Sequence, residues 1–220
     1  MANGYVPKGY FTFRAEGAAT DPNTDNLHWP KGASGVTIGP GYDLKEKDAG
    51  KVYIDMISIG VSREDAEIIK KGVAKTGSDA EKFVNENKSK IKNLTKEQKI
   101  RLFQKIWTRQ YLTQAERVYN KLPKKIFEKD ISFLKKPDSK VSWDKVKWED
   151  LDNEILDMIV DLSYQGAYSY KRRDIQYVST KNDRSLLAEA IKHDSELLRM
   201  DKGRRRIPFL QGKENGPTGF

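Results

Sequence analysis

A chain of 220 residues, 33% charged and 37% hydrophobic, has enough length for one generous domain or two small lobes sharing a core. No apolar run approaches the roughly eighteen residues of a membrane span, so a soluble protein without stable membrane insertion is expected, and the lack of cysteine excludes disulfides and thiolate metal sites. Forty-one basic against 32 acidic side chains give a formal charge of +9, which biases the protein toward polyanions such as nucleic acid, anionic lipid or bacterial cell wall without choosing among them.

The N-terminal MANGYVPKGYFTF lacks a basic start followed by an apolar stretch, so the expectation is synthesis in the cytoplasm without a cleaved signal peptide. After this irregular lead, residues 9–16 (GYFTFRAE) have room for about two helical turns, with Tyr10, Phe13 and Arg14 on one side. Glu16 then ends the helix, just before Gly17. Residues 18–34 are rich in Asp, Asn, Pro and Gly and read as a loop. In SGVTIGPGYDL, residues 34–44, Val36 and Ile38 alternate against Thr37 as in a short strand, and Gly39, Pro40 and Gly41 make a turn. The region is expected to be a small irregular β-hairpin.

Helical signals dominate from Ser62 onward. Ser62 with Asp65 marks one helix start and Thr95 with Gln98 another. The second opens residues 96–122, where Phe103, Trp107, Tyr111, Ala115, Val118 and Leu122 recur at helical spacing, predicting one long amphipathic helix that ends near Pro123 and whose aromatic stripe is core. Residues 123–150 are lysine-rich and contain Pro123, Pro137, Trp143 and Trp148 without a clean period, which reads as an irregular, solvated insertion. Residues 151–164 predict a buried helix ending at Gly166, residues 185–198 predict another, and GRRRIPFLQ begins the tail. The fold class is therefore α+β and predominantly helical.

The glycine-rich turn lacks both the GK[ST] ending of a Walker loop and a GxGxxG pattern, which sets nucleotide binding aside. Asp21, Asn23 and Asp25 imitate the start of a calcium loop, but Asn26 stands where glycine is wanted and Gly32 where a bidentate glutamate is wanted. His28 and His193 form no HExxH zinc motif, and a GxSxG nucleophile elbow is missing. Paired carboxylates remain: cleaving a glycosidic bond needs a protonated acid on one side of the scissile oxygen and a second carboxylate opposite. Glu16 and Asp43 can supply that pair, with Glu16 kept protonated beside apolar Phe13 and Ala15, and Thr37 can share a water with Asp43.

The order Glu16-Gly17, a polar loop and then HWPKGASGVTIGPGYDL resembles the active-site segment of pesticin-like muramidases, a branch of the phage-type lysozyme fold found in bacteriocins and wall-attacking toxin domains. The helix opening LTKEQ is similar to the helix joining the two lobes of phage-type lysozymes, LDMIVDLSYQG to the buried helix of their larger lobe, and GRRRIPF to their arginine-containing C-terminal segment. The resemblance implies a single lysozyme-like domain over residues 1–220, with a small lobe at about 17–94, a linking helix at about 96–122, and a helical lobe at about 123–220 completed by the N-terminal helix. It implies Glu16 as general acid and Thr37 with Asp43 as the groups that position the hydrolytic water. Phage lysozymes proper place the aspartate nine residues after the glutamate, which lands on Asp25, but Asp25 lies twelve residues before Thr37 instead of six, so Asp43 is the preferred counterpart.

Tyr42, His28 and Trp29 flank the expected cleft as candidates for stacking on or hydrogen-bonding sugars, and Gln165 is a further candidate. The implied activity is inverting hydrolysis of the β-1,4 bond between N-acetylmuramic acid and N-acetylglucosamine in peptidoglycan, by an antibacterial toxin or a phage lysis enzyme. No cofactor, metal or nucleic acid is expected. The protein would be a monomer, meet an immunity or inhibitor protein, and reach the wall through a holin or a secretion system. The rivals are a non-catalytic wall-polysaccharide module and a lytic transglycosylase; a basic nuclease toxin lacks a metal-ligating constellation.

Overall fold

The computed structural model describes residues 9–16 and 21–213; the irregular lead at residues 1–8, Gly17 and the end of the tail lie outside them. The protein is predominantly helical with two small antiparallel sheets among the described residues. No helix among these residues is long and apolar enough to cross a membrane. The chain divides into two compact units, one within Glu16–Ile106 and the other, among the described residues, built from 9–15 and 107–213.

The first unit wraps helices around a two-strand hairpin. Strands β1 (Thr37–Ile38) and β2 (Tyr42–Asp43) pair antiparallel, Thr37 opposite Asp43 and Ile38 opposite Tyr42. Gly39 makes the turn possible: its φ is 62°, and a Cβ there would lie 2.7 Å from Leu102 Cδ2. Ahead of the strands, helix α1 (Tyr10–Ala15) leads from the second unit into the first. Helices α2 (Ala49–Ser58) and α3 (Arg63–Ile69) start at Asp48 and Ser62, whose side chains accept from Lys51 N at 2.9 Å and Asp65 N at 3.0 Å. After α4 (Gly77–Asn87), the expected capping box opens α5 (Lys96–Ile106): Gln98 N donates to Thr95 Oγ1 at 3.2 Å and Thr95 N to Gln98 Oε1 at 2.9 Å. Leu27, Val36, Ile38, Tyr42, Leu44, Met56 and Leu102 are buried in one core.

Helix α5 runs on through a π-helical segment, Trp107–Leu112, into α6 (Thr113–Asn120). The π segment widens the helix locally. Ala115 and Tyr119 are buried, whereas Val118, expected in the stripe, is half-buried.

In the second unit the centre is α7 (Asn153–Tyr164), where every residue from 155 to 163 is buried. Helix α1 buries Phe11, Thr12 and Phe13, with Phe11 against Phe209 at 4.8 Å between ring centres; of the side expected to carry Tyr10, Phe13 and Arg14, Phe13 is buried and Arg14 half-buried, and the side chain of Tyr10 lies outside those described. Residues 123–150 are more ordered than the irregular insertion expected: β3 (Lys125–Phe127) pairs with β4 (Ser142–Asp144), Ile126 is buried, and Trp143 Nε1 donates to Thr180 Oγ1 at 2.9 Å. The single helix expected at residues 185–198 is two, α9 (Arg184–His193) and α10 (Ser195–Arg204), following α8 (Arg173–Ser179). Asp194 makes the break, because its extended backbone ends α9 while its carboxylate accepts from Leu197 N at 2.9 Å and so starts α10.

A buried ion network closes this unit. Arg204 Nη1 reaches Asp161 at 2.5 Å, Arg206 Nε reaches its other oxygen at 2.8 Å, and Arg206 N donates to Asp201 at 2.6 Å where α11 (Arg206–Leu210) begins. Burial pushes the Asp161 carboxyl up, a shift that its pairing with Arg206 opposes, while burial and the neighbouring Arg206 charge push the Arg204 guanidinium down to about 9. Asp161→Asn removes the carboxylate that two buried guanidinium groups share, and a loss of about 3–5 kcal/mol is expected in urea unfolding followed by circular dichroism. A loss under about 1 kcal/mol would mean that apolar packing alone holds the unit together.

Candidate active site

Thr37 lies in the middle of three short extended segments of the first unit. Its N–H and C=O exchange hydrogen bonds of 2.9 Å each with His28, and on its other side it faces Asp43. Both backbone groups of Thr37 point toward His28, so Thr37 and Asp43 form a non-hydrogen-bonded pair, the arrangement in which opposed side chains stand closest, with Cα atoms about 4.5 Å apart. Directly opposed residues share a face, which puts His28, Thr37 and Asp43 in one row. The alternating residues Leu27, Val36, Ile38, Tyr42 and Leu44 fill the core on the opposite face.

Each member of the row is held by backbone. Asp43 accepts from Lys45 N at 2.8 Å through Oδ1 and from Gly35 N at 3.2 Å through Oδ2. A Cβ on Gly35 would sit 2.6 Å from Asp43 Oδ1 and 2.7 Å from Lys45 Cβ, so only glycine leaves the carboxylate its seat. Thr37 is buried and its hydroxyl donates to Gly35 O at 3.2 Å. His28 Nδ1 stands 3.1 Å from Asn26 O, which can only accept; in the neutral ring Nδ1 therefore carries the proton and Nε2 presents a lone pair. Asn26 is itself anchored, accepting from Leu27 N at 2.6 Å and donating to Asn93 Oδ1 at 2.7 Å and Lys88 O at 3.2 Å.

The row consequently offers acceptors: Nε2 of His28, the lone pairs of Thr37 Oγ1 and the remaining lone pairs of the Asp43 carboxylate. It is matched to a group that donates, a water or a sugar hydroxyl. Two such acceptors side by side can take both hydrogens of one water and leave an oxygen lone pair unused.

A family model described as a domain of unknown function, DUF8812, matches residues 9–207. The chain belongs to this family. No curated protein matches it. The DUF8812 match takes in Glu16, the whole row and most of both compact units.

The other candidates of this DUF8812 chain fall in different settings. Glu16 follows α1 and is the first residue of the unit that contains the row. Its side chain is exposed while Phe13 turns into the core, so the apolar setting expected around Glu16 is not found. Tyr42, expected to meet sugar, belongs to the core instead: it is 2% exposed and its hydroxyl donates to buried Asp55 at 2.8 Å. The pleat dictates this, since neighbours in a strand take opposite faces and Asp43 takes the outer one. Half-buried Trp29 packs against the core and donates through Nε1 to Ser34 O at 3.1 Å, pinning the loop. Gln165 lies in the second unit, its side-chain carbonyl accepting from Arg206.

Asp25 pairs with the buried ammonium of Lys99 at 2.5 Å. This ties the turn Pro22–Asp25 to α5 and gives the Asp25 carboxylate a counter-charge from the protein itself. Asp21 caps the same turn at Asn23 N, 2.9 Å away. Sequence reasoning missed Gly35, Asn26 and Lys99 as supports. Gly35 reads as ordinary turn punctuation, and only the return of Asp43 eight residues later gives it a purpose.

Gly35→Ala is expected to displace the Asp43 carboxylate and to cost about 1–3 kcal/mol in thermal or urea unfolding. Amide shifts should change most at residues 35, 43 and 45 in a heteronuclear correlation spectrum. Unchanged shifts there would show that the loop absorbs a methyl group without moving Asp43.

Proposed function

We propose that this protein is a peptidoglycan hydrolase, a muramidase of lysozyme-like architecture that cuts the β-1,4 bond between N-acetylmuramic acid and N-acetylglucosamine with inversion. The observation that carries the reading is the opposition of Thr37 and Asp43 as acceptors on the face of the hairpin turned away from the core. Support also comes from Glu16 opening the same unit and from the resemblance of GVTIGPGYDL to the muramidase segment.

In the proposed reaction Glu16 gives its proton to the glycosidic oxygen. Water adds to the anomeric carbon from the opposite side, passes one proton to Asp43 and donates its other hydrogen to Thr37 Oγ1. Inversion requires the two carboxyl groups to stand about 6.5–9.5 Å apart across the sugar. Because Glu16 is exposed, the desolvation that favours its protonated form has to come from the substrate closing over it. His28 Nε2, an acceptor, suits a sugar hydroxyl or N–H. The charge of +9 favours an anionic wall, and added salt weakens that attraction. The proposal includes a role as antibacterial toxin or lysis enzyme acting as a monomer, with an immunity protein for the toxin and delivery by a holin or secretion machine.

The test is release of soluble muropeptides from purified peptidoglycan. Glu16→Gln is expected to abolish release, and Asp43→Asn to lower turnover by about 10²–10⁴-fold. Release by Glu16→Gln at the wild-type rate would remove Glu16 from the chemistry, and binding without release by the wild type would make the protein a wall-binding module. His28 gives a sharper contrast. Glutamine can place an acceptor where Nε2 stands, whereas asparagine replaces only the donor at Nδ1, so His28→Gln should keep KM within about threefold and His28→Asn raise it by about tenfold. The reverse ranking would mean that the bond to Asn26 is all that His28 contributes.

A further inference from the structure

The second unit carries a groove that the proposed chemistry leaves unused. Two cavities of about 710 and 610 Å³ share Lys171, Arg172, His193 and Asp194 in their walls, so they form one continuous depression. Its aromatic content is high for a surface feature. Phe133 and the exposed ring of His193 stack at 5.2 Å and 15°, and Tyr170 is 78% exposed. A tyrosine so exposed contributes little to the fold and offers a ring face to a ligand.

The polar groups of the groove are already fixed. Arg172 donates to Asp194 at 2.8 Å and also to Glu196, and Asp174 accepts from Ser132 N at 3.1 Å and from its hydroxyl. A ligand that hydrogen-bonds these side chains therefore has little ordering cost to meet. Lys171 and Arg173, both exposed, have no carboxylate partner among the described residues and are left to meet an incoming anion.

Aromatic rings, fixed carboxylates and two unpaired cations define the ligand class. A nucleic acid strand would bring one negative charge per nucleotide against Asp130, Asp174 and Asp194. A saccharide instead lays the C–H face of a ring on Tyr170, gives hydroxyl protons to the aspartates, and needs cations only where it carries an occasional carboxylate. We infer that this groove is a second, non-catalytic site for an acidic glycan, and that it holds the wall strand while the first unit cuts. The choice of glycan rests on the muramidase reading.

The experiment uses the full chain. Glu16→Gln alone, and combined with Tyr170→Ala and Arg173→Ala, is sedimented with insoluble peptidoglycan; all three side chains are exposed, so the fold should tolerate the changes. The groove variant is expected to bind about tenfold more weakly. With Glu16 restored, it should release muropeptides from insoluble wall more slowly yet cleave a short soluble glycan fragment at the wild-type rate. Equal sedimentation overturns the inference and leaves the catalytic reading intact. A wild type that releases nothing, beside a groove variant that no longer sediments, sinks the catalytic reading and keeps the groove. Displacement of bound peptidoglycan by a single-stranded oligonucleotide, but not by soluble glycan, would assign the groove to nucleic acid and overturn the inference.

Discussion

The pleat of three short extended segments is the constraint on which the rest depends. Leu27, Val36, Ile38, Tyr42 and Leu44 all have to enter the core of the first unit, and a side-chain period of two then places His28, Thr37 and Asp43 on the other face. A slip of one residue would put Thr37 and Asp43 into the core and Tyr42 outside. Burial of apolar side chains thus selects the register, and the register places the polar row. Chemistry and stability are coupled there through geometry.

A second layer of polar contacts keeps those segments from shifting. Buried Asp55 on α2 accepts from Tyr42 at 2.8 Å and faces Lys105 on α5 at 3.6 Å, so the hairpin is tied to two helices from beneath. Lys99, one turn along α5 from the capping box, secures the preceding turn through Asp25. These buried ions cost desolvation, and what they supply is position, because they fix the segments that carry the row. The network of Asp161 with Arg204 and Arg206 in the second unit has the same character.

Local signals were legible in the sequence, and contacts between distant segments were not. The caps at Ser62 and Thr95, the hairpin turn and the buried helix α7 follow from spacings of a few residues, and the structure has them all. The pairing of His28 with Thr37 spans a polar loop whose composition reveals no strand, so the row of three could be seen only as a pair. Strands β3 and β4 are three residues long, too short for alternation to show, and they lie in a lysine-rich stretch of the chain. The π segment at Trp107–Leu112 leaves no mark in a 3.6-residue pattern, and the burial of Tyr119 in preference to Val118 shows only in the structure. Tyr42 looked like a ligand-facing aromatic because it adjoins the turn, and its place in the core follows once the outer position of Asp43 is known.

The most direct measurement is the anomeric configuration of the first product, read by proton NMR within minutes of adding enzyme to a defined muramyl glycan, together with its mass. Attack by a water held at Thr37 and Asp43, on the side away from Glu16, predicts a hydrated muramic acid end that appears first as the α-anomer. A β-anomer appearing first, or a product lighter by one water and carrying a 1,6-anhydro ring, would contradict the assignment of that row to the hydrolytic water.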